Sequence, residues 1–195
     1  MKRCLWSVLI IALLTAVPAL MAQDQDKFEV GAFGEFFRYT NAPSVQNFVG
    51  LGGRAGVGIT GHTSIEAEMA YDFKKNYTST FTNGVTTSLG STNFRTLHGF
   101  FGPNFHGDLG PLQLFVTGKV GFDNFSISNQ NAPNGFTNTV GLTSGTTAFA
   151  VYPAAGFALF GHWIGVRVEA GDDIFFLSGS AHNNLRVTFG PQFRF

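Results

Sequence analysis

The stretch HNNLRVTFGPQFRF (residues 182–195) ends the chain in strict alternation. Leu185, Val187, Phe189, Pro191, Phe193 and Phe195 share one side, and Arg186, Thr188, Gly190, Gln192 and Arg194 share the other. A period of two is the mark of a β-strand, whose successive side chains point to opposite faces. A soluble domain has little reason to finish on a strand with an unburied aromatic, because termini fray. The fold therefore turns on which solvent the apolar column meets.

The same alternation recurs upstream. In FEVGAFGEFFRY (28–39), Phe28, Val30, Ala32 and Phe36 oppose Glu29, Gly31 and Glu35, and in VGLGGRAGVGI (49–59), Val49, Leu51, Ala55, Val57 and Ile59 oppose five positions that are all Gly or Arg54. IEAEMAYDFK (65–74) repeats the pattern, with Ile65, Ala67, Met69, Tyr71 and Phe73 against Glu66, Glu68, Asp72 and Lys74. Further runs at 94–105, 112–125, 149–159, 164–173 and 185–195 bring the expected total to eight strands of about ten residues or more. That is longer than the usual five or six of soluble sheets and matches a tilted membrane crossing.

Composition agrees. Only 12% of residues are charged, whereas Gly (25) and Phe (23) are abundant, and soluble domains average about 25% charged. So few charges cannot coat a soluble surface, and a formal net charge of zero gives no basic field for nucleic acid. At the start, Lys2 and Arg3 precede an apolar run from Leu5 to Val17 and a small-residue end at Ala22, the order of a secretory signal peptide. A membrane anchor fits less well, since Pro18 breaks a run already shorter than a spanning helix. The expected organisation is a signal peptide at 1–22 followed by one domain at 23–195. Cutting after Ala22 removes the single cysteine, Cys4, and leaves 10 basic against 12 acidic residues.

Short links at TGHT (60–63), HGDLGP (106–111) and FGH (160–162) alternate with longer ones at 40–47, 76–93, 128–146 and IFFLSGSAHN (174–183). That asymmetry, short turns at one end and long loops at the other, is the habit of outer-membrane barrels. The rival is a soluble eight-stranded barrel of the lipocalin type, with its apolar face around a ligand cavity. Two observations weigh against it. The polar face is rich in Gly, Ala and Thr with few charges, which suits a narrow lumen. Large aromatics also mark both ends of the strands: Phe28, Phe105, Phe160, Trp163, Phe193 and Phe195 at one level, and Phe36, Tyr39, Tyr71, Phe73, Phe94, Phe122 and Phe175 at the other. These read as girdles at the two lipid interfaces.

The whole pattern resembles the OmpA/OmpX-type eight-stranded outer-membrane β-barrel family, in its form without a C-terminal peptidoglycan-binding domain. The resemblance covers nearly all of 23–195, and its most specific part is the final strand. It implies an all-β, eight-stranded antiparallel up-and-down transmembrane barrel in the outer membrane of a Gram-negative-type bacterium. The implied partners are outer-membrane lipid and lipopolysaccharide, and the implied state is a monomer. It also implies that Val187, Phe189, Phe193 and Phe195 act as the C-terminal signal read by the barrel-assembly machinery.

Eight strands enclose an interior just wide enough for side chains, so a filled lumen is expected. The inward face offers Glu29, Glu35, Arg54, Glu66, Glu68, Asp72, His98, Lys119, Asp123, Arg167, Glu169, Arg186 and Arg194. Charges there must pair, because an isolated buried charge is costly. If TGHT forms a tight turn, Arg54 lies beside Glu68. Closing the last strand on the first brings Arg194 toward Glu29 and Arg186 toward Glu35. The expected site is thus an interior salt-bridge network of Glu29, Glu35, Arg54, Glu66, Glu68, Lys119, Arg167, Glu169, Arg186 and Arg194.

Sequence gives no catalytic, cofactor or metal site. His62, His98, His106, His162 and His182 are scattered, without metal-ligand spacing or a Cys partner. Ser178, Ser180 and His182 with Asp172 or Asp173 are the one combination that resembles lipid A-modifying barrel enzymes, and an ordinary polar loop is the simpler reading. Pro103, Pro153 and Pro191 fall inside strand patterns, where a closed barrel has no free edge for them. Their repetition suggests a device such as a bulge. Phe33, Phe37, Phe100 and Phe115 have inward parity and depart from an all-polar lumen. The expected function is a non-enzymatic outer-membrane protein of envelope structure or surface interaction. A narrow small-solute or ion pore is the alternative, and a lipid A-modifying enzyme is the third.

Overall fold

A computed structural model describes residues 28–40, 45–82, 87–129 and 145–195, with the backbone alone at 76–92 and 127–129. The expected signal peptide at 1–22 lies outside the described residues. Nine strands follow in order: β1 (Phe28–Tyr39), β2 (Gln46–Thr60), β3 (Thr63–Asp72), β4 (Lys75–Thr82), β5 (Thr87–Leu109), β6 (Leu112–Asn129), β7 (Thr146–Phe160), β8 (Ile164–Leu177) and β9 (Ser180–Arg194). All pairings are antiparallel between chain neighbours, except that β1 pairs with β9 and β3 with β5. The sheet is therefore closed. Strands β3 and β4 are successive parts of one stave, both lying along β5: Tyr71 pairs with Leu97 and Lys75 with Phe94. The barrel wall is eight staves around.

Alternation persists through every stave whose burial is described. In β2, Phe48, Gly50, Gly52, Arg54 and Gly56 point inward while Val49, Leu51, Ala55 and Val57 point out. Outward apolar residues such as Leu51, Met69, Phe101, Val116, Val120 and Phe189 are exposed. In a protein meeting water on that side this would be a continuous apolar belt far larger than soluble monomers carry. Above the belt, at the end away from the chain termini, the outward positions turn polar: Asn124 donates to Thr147 Oγ1 at 2.7 Å, and Arg95 and Ser126 share that level. Strand β5 has 23 residues, about twice what a tilted crossing needs, so β4 and the upper parts of β5 and β6 rise beyond the apolar belt.

The turns explain the register. A two-residue link at Gly61 and His62 joins β2 to β3, with one irregularity between Gly58 and Thr60, and sets Arg54 opposite Glu68. Gly110 (φ 65°) and Pro111 link β5 to β6, the Gly-first pattern of a two-residue hairpin turn. Two expectations are corrected here. The segment 76–93 is no open loop, because β4 pairs with β5 from Lys75 against Phe94 to Thr82 against Thr87. The segment 174–183 is no long loop, because β8 and β9 pair up to Leu177 and Ser180 across a turn of Ser178 (φ 52°) and Gly179 (φ 80°). Two positive φ values suit a hairpin turn that follows the strands' own twist.

The prolines create no bulge. The β5–β6 ladder holds Phe101 against Val120 and resumes at Asn104 against Thr117 in the same register, and the Pro103 carbonyl accepts from Thr117 Oγ1 at 2.8 Å. The β7–β8 ladder likewise skips Pro153 between Val151 and Ala154 without a shift, and β9 skips Pro191 opposite β1. Each proline omits one amide donor on one side while the other ladder continues through it, as Pro153 against Gly118 and Pro191 against Val166 show.

Candidate functional site: the charged lumen

Three layers of side chains cross the lumen. At the level of the short turns, Arg194 Nε meets Glu29 Oε1 at 2.8 Å, Gln192 donates to Glu29 Oε2, and the Arg194 guanidinium lies 4.0 Å over the Phe160 ring. Antiparallel pairing of β1 with β9 puts Glu29 directly opposite Arg194.

The middle layer is a buried ion network. Arg167 grips Glu66 through both guanidinium nitrogens, at 2.6 and 3.1 Å, and reaches Glu169 at 2.6 Å. Arg54 bonds Glu68 at 3.0 Å and Glu169 at 3.2 Å. Lys119 sits among all three carboxylates, 2.6 Å from Glu68, 3.1 Å from Glu66 and 3.3 Å from Glu169. Three anions thus meet three cations drawn from β2, β3, β6 and β8. Arg186 connects this layer to the next, with Nη1 2.5 Å from Glu68 and Nε 2.7 Å from Glu35.

The inward phenylalanines belong to the same construction. Phe33 packs against Gly52, where an added Cβ would come within 2.4 Å of the ring, and Phe115 lies 2.5 Å from the corresponding position at Gly156. Glycine leaves the wall open there and an aromatic fills the opening, a known way of repairing strand glycines. The same rings receive cations: Arg54 is 4.9 Å from the Phe33 centroid and Arg167 is 3.8 Å from that of Phe115, within reach of cation–π attraction.

The upper layer centres on His98. Its Nε2 lies 3.1 Å from Asp72 and 3.3 Å from Glu35, and its Nδ1 lies 2.8 Å from Asp123 and 3.3 Å from Asp173. All five side chains are fully enclosed. Above them Phe37, Tyr39, Phe48, Phe94, Phe125 and Phe175 pack into one buried cluster, with Tyr39 stacked on Phe175 at 5.9 Å and Phe94 on Phe125 at 5.8 Å. This corrects the girdle assignment of four rings. Tyr39, Phe94, Phe160 and Phe175 face the lumen, because strand parity holds to the ends: Tyr39, Phe94 and Phe175 share the parity of the inward Glu35, His98 and Asp173, and Phe160 shares that of the buried Tyr152 and Ala158. Trp163, stacked on Phe193 at 5.9 Å, remains outside with Phe105 and Phe195.

The structure brings together every member of the expected network, and adds Asp72, His98, Asp123 and Asp173 as a node of their own. Asp173, the alternative to Asp172 in the Ser178, Ser180 and His182 combination, points inward, because one residue of parity separates it from Asp172. The Ser178, Ser180, His182 and Asp172 combination does not assemble. Asp172 accepts from Asn183 Nδ2 and the Asn184 amide, His182 packs on Phe175 at 5.0 Å, and Ser178 is spent in the turn. Of the terminal-strand residues, Phe189 and Phe195 are exposed outward, Val187 and Phe193 are partly covered, and Phe195 exchanges two backbone hydrogen bonds with Phe28.

The buried interior, among the described residues, therefore carries seven carboxylates, Glu35, Glu66, Glu68, Asp72, Asp123, Glu169 and Asp173, against the four permanent cations Arg54, Lys119, Arg167 and Arg186. The middle layer is balanced and the surplus negative charge lies around His98.

An apolar outer belt, a charged filled lumen and a closed antiparallel sheet define the class of protein: an eight-stranded outer-membrane-type β-barrel. No family model and no curated protein matches the sequence. Solved structures do. Neisserial surface protein A matches over 89% of this chain and 100% of its own, with a TM-score of 0.65 at 9% identity. Ail, the attachment invasion locus protein of Yersinia pestis, covers 88% of this chain and 100% of its own at a TM-score of 0.56 and 13% identity. Outer membrane protein W of E. coli covers 89% and 100% at 0.50 and 14%. At such identities the likeness is one of fold.

Proposed function

We propose that this protein is a non-enzymatic integral outer-membrane barrel, exported by a cleaved signal peptide, that serves envelope structure or surface interaction. The observation that carries this reading is the filled lumen: a balanced ion network at mid-height and a six-ring aromatic layer above it lie across the path a solute would take. A pore built in this barrel would have to break charge-assisted bonds sealed from water, which is costly. Interaction is supported by the wall that rises past the apolar belt in β4, β5 and β6 and by the Thr, Ser and Asn-rich links at that end, since loops on a rigid scaffold commonly carry recognition. Two of the similar folds are named for surface or attachment roles. The partners in this reading are outer-membrane lipid, lipopolysaccharide and, during insertion, the barrel-assembly machinery, with the barrel itself monomeric.

The test is fractionation combined with planar-bilayer recording. The expected result is a heat-modifiable band in the outer-membrane fraction and no discrete conductance steps. A soluble periplasmic band overturns the membrane assignment, and reproducible single-channel steps from purified protein overturn the sealed lumen in favour of the narrow pore.

A further inference from the structure

The surplus of negative charge around His98 is confined to a region with no water-exposed face. Among the described residues Arg186 is the only permanent cation bonded there, through Glu35, leaving Asp72, Asp123 and Asp173 to share one imidazole. Independently of the charge count, both carboxylate oxygens of Asp173 and Asp123 Oδ2 on one side of the ring, with Asp72 Oδ1 and Glu35 Oε1 on the other, are fully buried and accept no hydrogen bond, so that of these residues only Asp173 lacks one at both oxygens. Buried carboxylate oxygens without donors are costly and call for an explanation such as a bound ion.

The two sides of the ring are not equivalent. On the Nε2 side Glu35 is already held by Arg186 at 2.7 and 2.5 Å, and Asp72 Oδ2 lies 3.1 Å from Nε2. An Nε2–H donated to Asp72 fixes the ring and leaves the Nδ1 lone pair free. That lone pair points at Asp123 and Asp173, and one ligand atom from each of His98, Asp123 and Asp173 can be chosen so that all lie within 4.8 Å of one another. Carboxylate to histidine to metal is a common relay in which the outer carboxylate sets the tautomer.

We propose that His98 Nδ1, Asp123 and Asp173 form a buried site for one divalent transition-metal ion, with Asp72 as the residue that positions His98. One imidazole with two carboxylates suits zinc or another first-row divalent ion, and the nitrogen ligand disfavours magnesium and calcium. The ion offsets the unmatched carboxylates and ties β5, β6 and β8 together across the lumen. Scattered sequence spacing hides the site because each ligand comes from a different strand. The aromatic layer above and the ion network below block exit, so the ion is taken up as the barrel closes and exchanges slowly afterwards.

The test uses the untagged full-length barrel, with His62→Ala and His106→Ala introduced to remove the neighbouring histidines at the short-turn end, whose rings lie 6.4 Å apart. After folding in detergent with zinc and exhaustive chelation, elemental analysis is expected to find about one zinc per chain. Asp173→Asn is expected to lower this at least about tenfold, as loss of a ligand does, while Glu29→Gln leaves it unchanged. A zinc content near zero in the folded parent overturns the proposal, and so does equal retention by Asp173→Asn. Should Asp173→Asn fail to give a folded, heat-modifiable band, X-ray absorption of the zinc-loaded parent decides. A shell of one imidazole nitrogen with oxygens at about 2.0 to 2.2 Å supports the site, and two or more imidazoles overturn it. Because folding is read separately by gel mobility, loss of the metal site leaves the barrel assignment standing.

Discussion

Arg186 on β9 and Glu35 on β1 are 151 residues apart in sequence and 2.7 Å apart in the lumen. The ladder sets Arg186 opposite Phe37, so its side chain leans one step along the neighbouring strand to reach Glu35. The same guanidinium bonds Glu68 and covers the Tyr152 ring at 4.7 Å. Four staves, those of β1, β3, β7 and β9, meet at one residue that exposes no surface.

Replacing Arg186 by Ala is expected to destabilise the folded barrel by about 3 to 5 kcal/mol, because Glu35 and Glu68 are left buried without their partner. Urea unfolding in phospholipid vesicles measures it. The double change Arg186→Met with Glu35→Gln is expected to recover part of the loss, and a double mutant no better than Arg186→Met alone would sink the pairwise account.

Val120 lies on the outward face of β6, opposite Phe101 and Val151 within the apolar belt. Val120→Arg is expected to cost about 2 to 4 kcal/mol in a bilayer, against about 0 to 1 for Leu109→Arg beside the short turn, since the penalty depends on depth. Equal and small costs at both positions would show that the apolar face does not meet lipid.

Gly52 accommodates the Phe33 ring only because it has no Cβ. Gly52→Val is expected to destabilise by about 1 to 3 kcal/mol through overpacking, read as a lower temperature for loss of the compact band on a gel. In a Phe33→Leu background most of that penalty should vanish; persistence of the full penalty there would place the clash with the Met69 carbonyl instead.

Ser178 holds φ 52° in the β8–β9 turn, a conformation that costs a non-glycine residue about 1 kcal/mol or more. Ser178→Gly is therefore expected to be neutral or slightly stabilising, whereas Gly179→Val is expected to destabilise and slow pairing of the last hairpin. Refolding kinetics followed by tryptophan fluorescence separate the two, and equal effects would argue against the turn geometry.

Deleting Phe195 is expected to reduce the amount of barrel assembled in cells while leaving refolding into detergent nearly unchanged, if the terminal strand is read by an assembly machine. Phe195 exchanges both of its backbone hydrogen bonds at that point with Phe28. Equal losses in cells and in detergent would make its role a matter of stability alone.

Sequence by itself determined the staves and their two faces, because a strand's side-chain period of two is a local property and each run carries enough apolar and polar residues to display it. The short turns are local too, and TGHT alone sets Arg54 beside Glu68. Tertiary structure decided what parity at strand ends and closure between distant strands control. Four rings assigned to the lipid interfaces turn into the lumen, 174–183 becomes a two-residue hairpin, and the prolines pass through an unshifted register. The His98 node needed most from the fold. Its four carboxylates come from β1, β3, β6 and β8, and only the shear and closure of the barrel, which no local pattern encodes, bring them to a single imidazole.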